Sequence, residues 1–288
     1  MSQRLRVRKT QKLFIAGAFA RSESGRTFPY ARDGQVLAIA RGSRKDVRDA
    51  VRAARAAWAG WRDRSAYNRG QVLYRLAEIM ETRRAQFVES ASFSGTVPGA
   101  ARREVDTAID RAVWYAGWCD KIDQVLSTKN PVASQHFNVS SAEPTGVVGV
   151  IAPLRPGLLG LVSLIAPLLC AGNSVVIIAS EQDPLSAVAL AEALATSDVP
   201  PGVVNIITGR RDELVMPLAS HMDVNALDLW IADKALDTRA AEAACDNVKR
   251  VRRSGEPPQR FWLSVRSQTP DWIRDFMEVK TVWHPAGV

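Results

Sequence analysis

The order of apolar and polar residues predicts alternating strands and helices in the second half of the chain. The segments "TGVVGVIAP" and "NSVVIIAS" are short β-branched runs, which are typical of strands buried on both faces. Further strands are predicted at 202–209 and 226–231, and helices at 157–171, 184–196 and 211–219. Strands that alternate with helices favour parallel pairing with right-handed crossovers. The pattern therefore predicts an α/β fold with a Rossmann-like parallel sheet and flanking helices.

The first half of the chain is predicted to be mostly helical. Apolar residues recur at helical spacing in three segments, 43–61, 66–90 and 99–122. Ser43, followed by Asp46, predicts a capping box at the start of the first of these helices. Residues 12–20 alternate around a glycine and predict a short hairpin, and residues 233–250 predict one more helix.

Further strands are predicted in the middle and at the end of the chain. Residues 124–143 break the helical period and suit two strands with an intervening turn, and the ending has strand-like pieces around a helical turn at Trp272–Phe276. The expected organisation is a helical N-terminal part (1–123), a hairpin (124–143), a Rossmann-like core (144–250), and a linker with a C-terminal tail (251–288).

Composition and charge narrow the classes of partner. The chain has 288 residues, is 47% hydrophobic and carries a net charge of +8, so an anionic partner has to be considered. Lys and Arg are spread along the helices rather than gathered in a block with aromatic residues, so no nucleic-acid partner is expected. The densest basic cluster, from Lys249 to Arg253, is interpreted as a solvated helix end and loop.

No membrane segment or secretory signal is expected. The longest apolar stretch, Leu158 to Gly172, contains Pro167 and is short for a membrane span. The basic N-terminus is not followed by a long apolar run, which argues against a signal peptide. The expected location is cytoplasmic.

The cysteines and histidines indicate neither a metal site nor a disulfide framework. Cys119, Cys170 and Cys245 lie far apart in the sequence, which fits a reducing compartment. Cys119 is on the apolar face of a predicted helix and is expected in the core. His136 stands alone among polar neighbours and is expected to be exposed. No metal ligand is assigned.

Several segments together resemble the aldehyde dehydrogenase superfamily. They are "EPTGVVGVIAP", "IAPLLCAGNSVVI", "DPLSAVALAEAL", "PPGVVNIITG", "YAGWCDKI" and "MEVKTVWHP". Their order and spacing are specific, and the match covers about residues 12–230 and 270–288. The resemblance implies that the C-terminal tail joins the hairpin at 124–143 in a small oligomerisation sheet against a neighbouring subunit.

The residues that the resemblance places at the cofactor cleft depart from the family pattern. Arg155 stands where the family has an asparagine whose amide stabilises the developing oxyanion. Ile178 replaces a lysine that holds the adenine ribose, and Glu181 remains as the other ribose ligand. Glu181 and Gly209 are therefore the remaining candidate cofactor-binding residues. Trp230 begins a bulky segment where the family has a glycine loop, and we expect it to crowd the cleft.

No catalytic residue is assigned. The family's base and nucleophile segments have no counterpart between 233 and 270. Cys245 lacks the glycine and glutamine context of the nucleophile, and no electropositive niche that would activate a thiolate is indicated. Cys245 is therefore interpreted as structural or incidental.

Three functional hypotheses follow from the resemblance and its departures. The first is a catalytically inactive family member, a structural or regulatory subunit that forms a homodimer or a hetero-oligomer with a full-length aldehyde dehydrogenase. The second is a residual oxidoreductase that acts on aldehydes with NAD or NADP. The third is a non-catalytic anion- or nucleotide-binding module that uses Arg155 and Glu181. Under the first hypothesis no cofactor is expected, and NAD or NADP is the candidate if one binds. For the tail, the alternative is that it only pairs within its own chain.

Overall fold

The computed structural model describes residues 9–32 and 34–286. The strands are β1 (Thr10–Gln11), β2 (Leu13–Ile15), β3 (Ala18–Ala20), β4 (Thr27–Arg32), β5 (Gln35–Ala40), β6 (Thr128–Asn130), β7 (His136–Pro144), β8 (Val147–Ile151), β9 (Ser174–Ile178), β10 (Val204–Ile207), β11 (Ala226–Leu229), β12 (Arg250–Arg253) and β13 (Met277–Pro285). The helices are α1 (Arg44–Arg62), α2 (Ala66–Thr82), α3 (Arg84–Phe93), α4 (Pro98–Ala116), α5 (Ile122–Leu126), α6 (Leu158–Ala171), α7 (Pro184–Ala195), α8 (Arg211–Ala219), α9 (Lys234–Ala244), α10 (Gln259–Trp262) and α11 (Asp271–Arg274).

The largest sheet has seven strands in the order β12-β11-β8-β9-β10-β2-β3. The strands from β12 to β10 pair in parallel, and the β2–β3 hairpin adds to β10 in the antiparallel direction. The register places Ile151, Ile178 and Ile207 side by side on β8, β9 and β10. The predicted α/β fold with a parallel sheet and flanking helices is confirmed.

Two apolar cores lie on opposite faces of this sheet. Side chains alternate along a strand, so Val148 and Val150 of β8 pack on the side of α2, α4, α6 and α7. Val147 and Ile151 of the same strand pack on the other side, with α1 and α8. All five residues of β8 and of β9 are buried, which explains why both segments are continuously apolar.

The predicted helices form with some changes of boundary. At the start of α1, the Ser43 hydroxyl accepts from the Asp46 N–H at 3.3 Å and the Ser43 N–H donates to the Asp46 carboxylate at 2.8 Å, which confirms the capping box. The segment predicted as one helix at 66–90 is divided into α2 and α3 at Arg83. The helix predicted at 99–122 is α4, which begins at Pro98 and is followed by a short turn and α5.

The smaller sheet forms from the segments that the sequence indicated. β13 pairs antiparallel with β7, which in turn pairs with β6. The β4–β5 hairpin, with β1 beside it, is a further sheet that the sequence analysis did not predict.

The interpretation of the basic cluster at 249–253 as a solvated helix end and loop is wrong. The helix predicted at 233–250 ends earlier, at Ala244, and Arg250–Arg253 forms β12, which pairs in parallel with β11. The Arg252 guanidinium donates to both carboxylate oxygens of Asp228, at 2.9 and 2.6 Å, and the Asp228 side chain is fully buried. A buried carboxylate on the neighbouring strand thus pairs with the Arg252 charge.

Residues 254–276 form a compact unit, which we call the cap. Its Trp262 and Phe276 are fully buried. Arg111 of α4 binds the cap to the main core. Its guanidinium donates to Ser267 Oγ at 2.9 Å and to the Trp262 carbonyl at 3.0 Å. The predicted helical turn near Trp272 is α11.

Candidate functional site

The carboxyl edge of the large sheet contains a point at which the strand order reverses. The chain passes from β8 outward to β9 and β10, and α8 then leads back to β11 on the opposite side of β8. In open α/β sheets, ligands bind in the crevice outside the carboxyl ends of the strands at such a point. We call the space outside the ends of β8 and β11 the crevice.

Glu181 is bound by groups of its own chain. Its carboxylate accepts from the Arg211 N–H at 2.6 Å and from the Arg210 guanidinium at 2.9 Å. Both residues lie at the start of α8, where the helix dipole favours a negative charge. Glu181 therefore stabilises the beginning of α8, and its role towards a cofactor stays a prediction.

Gly209 lies in the loop between β10 and α8, where it approaches another backbone segment. A Cβ at this position would lie 3.0 Å from the Gly42 nitrogen and 2.8 Å from a methyl group of Leu214. The Gly42 N–H donates to the carbonyl of Thr208, the residue before Gly209, at 2.8 Å. The packing of this loop against Gly42 accounts for the glycine, and cofactor binding by Gly209 stays a prediction.

Ile178 is a core residue at the end of β9. Its side chain is fully buried in the apolar core on the α1 and α8 side of the sheet. It therefore presents no hydrogen-bond donor to a ribose.

Arg155 bridges two loops. Its guanidinium donates to the carbonyl oxygens of Ser94 and of Gln182, the latter at 3.1 Å. These bonds tie the loop between α3 and α4 to the loop that follows β9. Because backbone carbonyls hold it, Arg155 is a structural bridge in this arrangement and not a free donor for an oxyanion.

Two buried carboxylates beside Arg155 were missed by the sequence analysis. Glu104 accepts from the N–H groups of Leu158 and Leu159 at 3.0 and 3.3 Å, and so binds the first turn of α6. Burial, with a smaller contribution from Asp183, raises the pKa of Glu104 to about 7. Asp183 caps α7, and burial also raises its pKa. The one signal in the sequence is that Glu104 borders the apolar face of α4.

Arg211 and Glu256 meet in the crevice and were also missed. The Arg211 guanidinium donates to Glu256 Oε1 at 2.9 Å and to the carbonyl of Ala152, the first residue after β8. Glu256 Oε1 also accepts from the Leu154 N–H at 2.9 Å. Burial lowers the pKa of Arg211, and Glu256 opposes that shift. An arginine at the first position of a helix opposes the helix dipole, which is a signal that could have identified it.

Trp230 packs beneath the cap. Its ring centroid lies 4.7 Å from that of Trp262 and 5.5 Å from that of Trp272. The Arg252 guanidinium lies 5.6 Å from the Trp230 ring and 4.9 Å from the Trp272 ring. Trp230 thus belongs to an aromatic cluster that joins the end of β11 to the cap.

The cysteines and His136 lie apart from the crevice. Cys119 is buried, as predicted, and so is Cys170. Cys245 is exposed, and its thiol donates to the Ala241 carbonyl at 3.5 Å. His136 is exposed beside Ser134 and Trp283. Within residues 9–32 and 34–286, no group of three His, Cys, Asp or Glu side chains could hold a metal ion.

None of the helices in the described part of the chain is long and apolar enough to span a bilayer.

Comparison with known proteins gives a single family. Residues 20–252 match the family described as "Aldehyde dehydrogenase family". "Aldehyde dehydrogenase, cytosolic 1" of Elephantulus edwardii is 34% identical over 248 residues, which are 83% of this chain and 49% of that protein. "Retinal dehydrogenase 2" of Gallus gallus is 36% identical over 251 residues, 84% of this chain and 48% of that protein. The chain thus spans about half the length of the curated relatives it matches.

Solved structures agree with this comparison. HpcC from Thermus thermophilus superposes with a TM-score of 0.80 at 31% identity, covering 86% of this chain and 48% of that one. A structure described as the NAD+ complex of an aldehyde dehydrogenase from Bacillus cereus gives a TM-score of 0.80 at 24% identity, with 86% and 51% covered. The second likeness shows the fold alone.

Proposed function

The chain belongs to the aldehyde dehydrogenase family, and from this premise we propose that it is a catalytically inactive member that acts as a structural or regulatory subunit. It assembles with a second copy of itself or with a full-length aldehyde dehydrogenase. The observation that carries the proposal is the exposed apolar surface of the sheet β13-β7-β6. A cytosolic location is part of the proposal, since a relative carries that word in its name.

The assembly surface is formed by β13 and β7. Val282 lies opposite Val139 in the register, and Phe137 follows on the same face of the sheet. These three side chains are 48%, 43% and 49% exposed. On the other face of β13, Val279 and Trp283 are 72% and 56% exposed. A long apolar strand at a sheet edge is a template for pairing with another chain, so this surface is suited to a neighbouring subunit.

The absence of catalysis is proposed from the surroundings of Cys245. A catalytic thiol needs an adjacent general base that takes its proton. The Cys245 thiol instead donates to a carbonyl of its own helix and faces solvent. We expect no aldehyde-dependent NADH formation by the purified chain. Robust formation that is abolished by Cys245→Ala would contradict the proposal.

The residues of the crevice do not fit a dinucleotide. Glu181 is bound to the start of α8, Ile178 is buried in the core, and the Arg211–Glu256 pair lies where a ligand would enter. Tight binding of NAD or NADP is therefore not part of the proposed function. The nucleotide-binding alternative is not favoured, because Arg155 and Glu181 are both held by other groups of the chain.

Assembly is tested by light scattering of the purified chain and of a Val282→Asp variant. We expect a dimer or larger oligomer for the natural sequence and monomers for Val282→Asp. Val265→Asp is the matched control, because Val265 is 84% exposed but lies in the cap. If the natural chain is monomeric and also fails to co-purify with a co-expressed full-length aldehyde dehydrogenase from the same genome, the proposal is wrong.

A further inference from the structure

The charged side chain of Arg211 is buried, although Arg211 is the first residue of α8. Only 8% of Arg211 is exposed. The side chain of Glu256, its partner, is 18% exposed, and the two are joined at 2.9 Å. Two of the three guanidinium nitrogens are bonded, to Glu256 and to the Ala152 carbonyl, whereas Nε has no partner among the described residues. The pair is therefore a built element of the crevice and not a mobile surface ion pair.

The contacts of the pair join the segments that follow β8 and β12. Arg211 donates to the carbonyl of Ala152, directly after β8. Glu256 lies shortly after β12, the neighbour of β11, and accepts from the Leu154 N–H at 2.9 Å. The pair thus links the segments after β8 and β12, the strands on either side of β11, at the carboxyl edge where an open α/β sheet receives its ligand.

The pair also uses the polar groups that a ligand would need. The Leu154 N–H and the Ala152 carbonyl are backbone groups of the loop after β8, and both are already bonded. The Glu256 carboxylate neutralises the Arg211 guanidinium, so this cation is not available to a pyrophosphate. At the start of α8, Glu181 already accepts from the Arg211 N–H.

We propose that Arg211 and Glu256 act as an internal plug that closes the crevice to adenine dinucleotides. The proposal rests on the proposed function, because it names the groups that keep a family member without catalysis free of cofactor. A dinucleotide enters only when the Arg211 contacts break, so its affinity is reduced by the free energy of those contacts. Removal of the plug exposes the loop after β8 to a ligand.

The test compares NAD binding by titration calorimetry in the natural chain and in an Arg211→Ala, Glu256→Ala double variant. We expect at least tenfold tighter binding of NAD by the double variant, with ADP as a second probe that lacks the nicotinamide half. Arg41→Ala is the matched control, because Arg41 also pairs with a carboxylate of α8, Glu213, outside the crevice. This control is expected to bind NAD no more tightly than the natural chain.

A second variant keeps the proposal testable if the double variant does not fold. Glu256→Gln preserves an acceptor for Arg211 and for the Leu154 N–H but removes the negative charge, and we expect several-fold tighter NAD binding. The proposal is overturned if the folded variants bind NAD no more tightly than the natural chain does. Light scattering of the same samples separates the two proposals, since a change in nucleotide binding leaves the β13 surface intact. Monomers that show the expected gain in NAD binding would refute the assembly role alone.

Discussion

Single buried carboxylates position the loops at the carboxyl edge of the sheet. Glu104 binds the first turn of α6, and Asp183 caps α7 while it accepts from the Ser94 hydroxyl at 2.7 Å. Gly157 lies between them, and a Cβ there would collide with the Asp183 carboxylate. The close approach of α6 to Asp183 therefore requires a glycine, and the two carboxylates fix where both helices begin.

Replacing Glu104 with glutamine is expected to change how stability depends on pH. Because the folded chain raises the pKa of Glu104 from 4.5 to about 7, its contribution to stability is full below pH 4.5 and is lost as the pH rises through 7. Glutamine still accepts from both N–H groups but does not titrate. The free energy of unfolding of Glu104→Gln, relative to the natural chain, should therefore rise by about 3 kcal/mol between about pH 4 and pH 8.

Urea unfolding of both proteins at the two pH values measures this difference. Glu89→Gln is the control at an exposed position, and it should change the free energy of unfolding by less than about 0.5 kcal/mol. A difference between Glu104→Gln and the natural chain that stays constant with pH would show that Glu104 does not titrate in this range.

At the residue scale, the sequence predicts the burial of apolar side chains better than the burial of charged ones. Cys119 lies at helical spacing with other apolar residues, so its place in the core could be predicted. The burial of Glu104 and Arg211 depends on partners 54 and 45 positions away in the chain. The local signals at these two positions mark an unusual charge but do not identify its distant partner, so the pairing could not be predicted.

At the scale of elements, β12 joins the sheet through a buried ion pair. Arg252 pairs with Asp228 of β11 and, at 3.2 Å, with Asp275 of the cap. Asp228 lies directly opposite Arg252 in the register, so the two side chains meet without any shift of the strands. A buried carboxylate without its cation is strongly unfavourable, so the docking of β12 depends on Arg252.

Arg252→Met is expected to lower the free energy of unfolding by about 3–5 kcal/mol, because Asp228 then stays buried without a partner. Adding Asp228→Leu should restore much of the loss, since an apolar pair of similar volume replaces the ion pair. Arg274→Met is the control, because Arg274 pairs with Asp271 at the surface, where such pairs contribute about 0–1 kcal/mol. Thermal and urea unfolding measure all variants. Equal losses for Arg252→Met and Arg274→Met would contradict this explanation.

The elements that the sequence predicts best are those with a strong period. β8, β9 and α6 are continuously apolar because both of their sides are covered, and their bounds agree with the prediction to within a few residues. β12 reads "RVRR", which has no apolar pattern because its charges find partners in the folded chain. The β4–β5 hairpin is also mostly exposed or half-buried, and the apolar run of β5 does not alternate with polar residues as a half-buried strand would.

At the scale of the whole molecule, the crevice and the small sheet are separate features. The cap joins the two regions along the chain, since it begins beside Glu256 and ends at Phe276, next to β13. The Asn173 amide, in the turn before β9, donates to the Phe276 carbonyl at 2.9 Å. The point at which β13 leaves the main body is therefore fixed, and the strand itself can be removed without opening the main core.

A chain shortened by residues 278–288 is expected to lose its assembly surface and keep its fold. It retains Met277, which is 6% exposed and belongs to the main core, whereas the following strand residues are exposed. We expect the shortened chain to be monomeric by light scattering with an unchanged far-ultraviolet circular dichroism signal from its helices.

If the shortened chain has the same oligomer mass as the full chain, the assembly surface is not on β13. The exposed tyrosines of α2, Tyr67 and Tyr74, at 69% and 52% exposure, would then be the next surface to test. A loss of helical signal would instead show that β13 stabilises the fold within its own chain, and Val282→Asp would then decide between the two roles.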